Sequence, residues 1–172
     1  MTRAARPGTR ILALDLHPQR YGYAVLETPT ELLDWGVKRR YRKGQPRAES
    51  PLCRRLQSLL DLWQPSFVVV TEPSKSTPAR MRKLLTEAIE KLGHRRISMR
   101  CLSRRGIRKA FSNEGRITKY AIASMLIEHF PFLASRLPRK RRIWESEDYR
   151  MSMFAAVALV LAASGRRPTA SH

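Results

Sequence analysis

The chain has 172 residues, enough for one domain with a real core, and its apolar fraction of 42% is that of a globular protein rather than a disordered one. It carries 34 Lys and Arg against 14 Asp and Glu, a formal net charge of +20. Such an imbalance repels itself in a compact chain unless a polyanion is the usual partner, so nucleic acid is the first expectation and an anionic membrane surface the second.

The membrane is the weaker choice, because no helical stretch is basic on one face and bulky-apolar on the other. The longest apolar run, residues 153–163, is also too short to span a bilayer. Cys53 and Cys101 are far apart and lack a CxxC partner, which suits buried, reduced thiols of a cytoplasmic protein rather than a disulfide or zinc site.

Residues 1–9 form a basic leader. It is not a signal peptide, since the apolar run that follows is soon broken by Asp15. Ile11, Leu12, Ala13 and Leu14 read as a strand covered on both faces, ending on that carboxylate. His17-Pro18-Gln19-Arg20 is a turn, and residues 21–26, YGYAVL, return as the second strand of a hairpin. Residues 32–37 continue as a third antiparallel strand, followed by a loop over 39–50.

Residues 51–63 place Leu52, Leu56, Leu59, Leu60 and Trp63 at helical spacing, and Gln64-Pro65 stops that helix. Phe67-Val68-Val69-Val70 is a second buried, β-branched strand, and it too ends on an acid, Glu72. A helix from Pro78 to Leu92 buries Leu84, Leu85, Ala88, Ile89 and Leu92, with Gly93 as its stop. Residues 97–102 alternate as another strand, and 104–111 and 118–130 are helices separated by the turn 112–115. A basic connector, 131–142, leads to a last helix that begins near Glu147-Asp148, and residues 165–172 are a frayed tail. Hairpin, then helix–strand alternation, then helices is the order of an α/β fold with three layers.

Three acidic places stand out: Asp15, Glu72 and the cluster Glu145, Glu147 and Asp148 opening the last helix. If the two apolar strands are parallel neighbours, their carboxyl ends meet where open α/β sheets place their sites. Carboxylates brought together there repel unless cations neutralise them, and Mg²⁺ or Mn²⁺ are the hard ions that match oxygen ligands. Two such ions about 3.5–4 Å apart clamp a phosphodiester for hydrolysis. On the acids alone, a metal site and a set of turn and helix caps are about even.

The sequence resembles the RuvC-like nucleases of the RNase H superfamily over residues 10–163. ILALDLHPQRYGYAVLE is similar to that family's first strand, acid and hairpin; FVVVTEP to its second acidic strand; and SEDYRMSMFAAVALVLAA to its final acidic helix. LSRRGIRKAFSNEGRITKYAIASMLIEHF is the most specific match, because nothing about the acids requires it. The resemblance implies an RNase H-like fold over residues 10–164, a mixed central sheet flanked by helices. It also implies a metal-dependent endonuclease cutting DNA, branched DNA included, in recombination or repair. A YqgF-type RNA-processing nuclease and a non-catalytic nucleic-acid binder that kept the fold are the alternatives.

Carried over by residue, Asp15 and Glu72 are implied metal ligands. Asp148 stands on the first of two family acids in the last helix, with Glu145 the alternate or fourth acid, and Met151 occupies the place of the second. Lys119 is an implied phosphate contact. Arg116, Arg104, Arg105, Arg108 and Lys75 are further candidate contacts, with the clusters 38–40, 95–96 and 139–142. The family's Asp-Pro-Gly is replaced by Asp15-Leu16-His17, and the loop 73–77 lacks the aromatic that family resolvases carry past the second acid. A homodimer is implied as well, since a four-way junction offers two symmetric cuts.

Overall fold

The computed structural model describes residues 10–17, 20–27, 31–39, 51–73, 75–114 and 116–165, with the side chains of 51–53 outside the description. The basic leader, nearly all of the 39–50 loop and all but the first residue of the tail lie outside these residues. Strands β1 (Arg10–Leu16), β2 (Arg20–Glu27) and β3 (Glu31–Arg39) are followed by α1 (Pro51–Trp63), β4 (Phe67–Thr71), α2 (Ala79–His94) and β5 (Ser98–Leu102). Then come α3 (Arg104–Phe111), α4 (Lys119–His129), a 3₁₀ helix over Pro131–Arg136, and α5 (Met151–Ala163).

The sheet runs β3-β2-β1-β4-β5. β1, β2 and β3 pair antiparallel, whereas β1 with β4 and β4 with β5 are parallel. This is the expected mixed sheet. Period-two alternation divides its two faces. Leu12, Leu14, Val68 and Val70 meet the apolar sides of α1 and α2, and Ile11, Ala13 and Val69 meet α4 and α5. Three layers result, with β1 buried in the middle.

α5 is apolar all round, so it can only lie inside, and every residue from Met151 to Leu161 except Ala155 is buried. It approaches the hairpin so closely that a Cβ added at Gly22 would stand 2.0 Å from the carbonyl oxygen of Ser152. Gly22 therefore serves as clearance for the helix backbone. Gly22→Ala is expected to cost about 3 kcal/mol, the upper part of the range for overpacking, because backbone cannot swing aside. Urea unfolding of the variant against the parent measures it; an unchanged midpoint contradicts the close approach.

Several expectations need correction. Ile89 is 49% exposed, and Met81 takes its place in the buried stripe of α2. Gly93 does not stop that helix; it runs to His94 with Arg95 as its cap, after which Arg96 adopts a left-handed φ of 56° and Ile97 N donates to Leu92 O at 2.9 Å. The terminating conformation thus fell on a residue with no glycine signal. Cys101 is exposed rather than buried. α5 starts at Met151, not near 147–148, because Asp148 turns its carboxylate onto Arg150 N at 2.9 Å, a local turn that competes with helix.

Candidate nucleic-acid cleft

Parallel pairing in register (Leu14 beside Val70) sets the carboxyl ends of β1 and β4 side by side. Asp15 and Glu72 follow at those ends, and both line one cleft of about 300 Å³. Asp15 is recessed, its side chain 16% exposed. His17 Nε2 lies 2.7 Å from its Oδ2, and the hydroxyl of Ser152 on α5 donates to the same oxygen at 2.8 Å. Ser152 is fully buried, so this bond satisfies a hydroxyl that would otherwise be stranded. Glu72 is exposed, and its backbone N–H extends the β4–β5 ladder to Leu102 O at 2.7 Å. The thiol of Cys101 is raised above its ordinary range, by burial first and by the charge of Glu72 second.

Lys119, at the start of α4, and Arg104 and Arg108, on α3, line the same cleft. Ser103 and Thr118 fix where those helices begin, each side chain accepting an N–H three residues on, from Gly106 and Ala121. Two acids at strand ends share the cleft with cations at the starts of α3 and α4 and, in Arg108, in the last turn of α3.

Two solved structures share this architecture over nearly the whole chain. A structure of RuvC from Thermus thermophilus superposes with a TM-score of 0.66 at 16% identity, covering 89% of this chain and 92% of that one. T. thermophilus RuvC in complex with Holliday junction substrate gives 0.66 at 15% identity, covering 90% and 91%. The fold is RuvC-like. No protein-family model matches the sequence, and no curated protein matches it.

Within this RuvC-like frame the acids before α5 are each held by a cation. Asp148 does not line the cleft; Arg150 binds its carboxylate through Nε at 3.0 Å and Nη2 at 2.8 Å. The hydrogen bonds from Arg150, with the nearby Arg20 charge adding to them, hold the Asp148 carboxyl below its usual range. Glu147 is tied to Lys119 Nζ at 2.9 Å, and Glu145 to Arg139 and to the N–H of Arg142. Of the other candidate contacts, Arg105, Arg116 and Lys75 are exposed and do not line the cleft.

What α5 does present to the cleft is Met151, Phe154, Ala155 and Ala158, of which Ala155 is the one not fully buried. Sequence reasoning put Met151 opposite a family acid but passed over Ala155 and Ser152, which lie in an apolar run with no polar pattern to mark them. Their signal is tertiary: one is the only incompletely buried position between Met151 and Leu161, the other the only buried polar residue among those described.

The donor set decides which metal arrangement these residues fit. Among the described residues no group of three or more His, Cys, Asp and Glu is placed to hold an ion. Of the three carboxylates expected for a clamp of two ions, Asp15 and Glu72 are on the cleft lining and Asp148 is not. A single Mg²⁺ asks for less: one or two carboxylates, with water and substrate phosphate filling the remaining positions. Asp15 and Glu72 supply that number of carboxylates to one cleft.

Because Arg150 depresses the Asp148 carboxyl, the pair stabilises the fold fully above the unfolded pKa of about 4, and the contribution disappears as pH falls through the lower folded value. Asp148→Asn is expected to be less stable than the parent at pH 7 and to converge with it in strong acid. A constant difference across pH, followed by thermal unfolding, would remove the ion pair from the account.

Proposed function

We propose that this protein is a nuclease of RuvC-like fold that binds branched DNA and cuts its backbone in the cleft of Asp15 and Glu72. The observation that carries the reading is the meeting of these acids, from strands distant in sequence, with Lys119, Arg104 and Arg108 in one cleft. A solved RuvC of the same architecture is in complex with Holliday junction substrate, which supports DNA as the partner. DNA recombination or repair in the cytoplasm is the corresponding setting, and a homodimer suits the two-fold symmetry of a four-way junction.

In this reading Arg104, Arg108 and, on leaving Glu147, Lys119 would hold the phosphate, and Asp15 and Glu72 would hold one Mg²⁺ or Mn²⁺. Such an ion, when bound, would supply Lewis-acid polarisation of the phosphoryl group and acidify a water. Ser152 and His17 fix the Asp15 carboxylate, and the His17 ring lies on the cleft wall beside it. Asp148 joins the ligand set only in a state where Arg150 releases it.

The test is cleavage by pure protein with Mg²⁺ or Mn²⁺ of a four-way DNA junction, duplex DNA, single strands and structured RNA. Junction cleavage is the expected result, and preferential cutting of structured RNA would move the assignment to an RNA-processing nuclease. If every substrate stays intact, the second reading takes over: a RuvC-like protein that binds nucleic acid without cutting it. The observation favouring that reading is Ala155, a methyl group on the stretch of α5 that lines the cleft.

A further inference from the structure

Between the 3₁₀ helix and α5 the chain makes a pinned turn outside the cleft. Four consecutive cations, Arg139, Lys140, Arg141 and Arg142, lead into Ile143 and Trp144, which are 97% and 76% exposed. They are the most exposed large apolar side chains described. Water should drive them inward, yet the turn is built to hold them out. Glu145 N donates to Arg142 O at 3.1 Å, closing the turn with Ile143 and Trp144 at its two central positions. The carboxylate of Glu145 accepts from Arg142 N at 2.8 Å and from Arg139 Nη2 at 2.5 Å, while Arg141 Nη1 donates to the Glu145 carbonyl at 3.0 Å. The Arg142 guanidinium sits 5.6 Å from the centre of the Trp144 ring.

We infer that Trp144, presented on this basic turn, is a stacking platform for an unpaired base of a branched or single-stranded nucleic acid. The partner must offer an apolar flat face and anionic charge within one side-chain length of each other. A nucleotide with its base unstacked does so: the ring lies on the indole and the phosphates meet Arg139 to Arg142. Inside a continuous duplex the base faces are covered by their neighbours, so only ends, gaps and branch points qualify. A lipid surface fits poorly, because a two-residue apolar tip is not the long apolar face that interfacial binding needs.

The location agrees with the cleft. Glu147, three residues beyond Trp144, is bonded to Lys119, which lines the cleft. Three residues of chain reach about 10 Å. A base stacked on Trp144 would therefore leave its strand about one or two nucleotides from the cleft cations.

This inference rests on the reading of the partner as nucleic acid, and the experiment separates the two. Junction, single-strand and duplex DNA are titrated against the parent, Trp144→Ala and Trp144→Phe at one salt concentration, with 2-aminopurine at the branch point of the junction. Expected are weakening of junction and single-strand binding by about ten- to a hundred-fold in Trp144→Ala, little change on duplex, and most of the affinity kept in Trp144→Phe. The 2-aminopurine emission is quenched by the parent and not by Trp144→Ala, with urea midpoints unchanged. Equal junction binding by Trp144→Ala, or an equal loss on all three DNA forms, overturns the stacking role while leaving nucleic-acid binding in place. A parent that binds no nucleic acid but binds anionic vesicles through Trp144 overturns both.

Discussion

Asp15→Asn is expected to lower junction cleavage by about a thousand-fold or more, equivalent to about 4 kcal/mol of transition-state stabilisation. Its carboxylate is the recessed one, held by His17 and Ser152, so in the proposed reading it is the ligand whose position is fixed before substrate arrives. The amide keeps the size and a hydrogen bond but loses the charge that a hard cation requires. Binding should survive the change, because removing a negative charge from the cleft relieves repulsion of the phosphate. Single-turnover cleavage and filter binding, on the same protein, make the comparison. Cleavage that persists in Asp15→Asn would place the reaction elsewhere; binding lost together with cleavage would mean the variant has lost its structure.

The second large effect is a gain. Ala155→Asp puts a carboxylate on α5 beside the same cleft, at a position already partly open to solvent. Ligand charge count is a principal lever on divalent-ion affinity, so Mn²⁺ binding should tighten by about ten-fold or more. Without the ion the added charge faces Asp15 and Glu72, and the metal-free variant should be less stable by about 1–3 kcal/mol. Electron paramagnetic resonance of Mn²⁺ titrated into parent and variant reads affinity and stoichiometry directly, independent of any cleavage. Unchanged affinity would mean that position 155 lies too far from the acids to share an ion with them. A gain in binding accompanied by a gain in cutting would show that the methyl group limits the parent's reaction.

These two experiments also divide the readings of the cleft. Loss in Asp15→Asn with gain in Ala155→Asp belongs to a nuclease working with a reduced ligand set. No cleavage in the parent but cleavage in Ala155→Asp belongs to a binding protein whose fold still accommodates the chemistry.

Much of the frame was legible because short-range signals agreed with the fold. The run Ile11 to Leu14 and the β-branched Phe67 to Val70 were buried strands by composition, and they are the two neighbours at the centre of the sheet. Helices α1 and α3 lie at their expected bounds, since periodicity and capping residues fix them locally. The end of α2 was misplaced because a left-handed residue can be Arg96 as well as a glycine when the last turn is already bonded. The start of α5 was misplaced because an acid near a helix start can cap locally instead, as Asp148 does.

The sequence by itself determined the basic charge, the α/β order and the two strands that end in Asp15 and Glu72, all properties of neighbours along the chain. Only the tertiary structure decided which acids share the cleft. Asp148, Glu147 and Glu145 each found a cation within reach, and an ion pair of that kind depends on where side chains meet in space, not on their spacing. The same holds for Ser152, Ala155 and Trp144, whose roles follow from what the fold covers and what it leaves exposed.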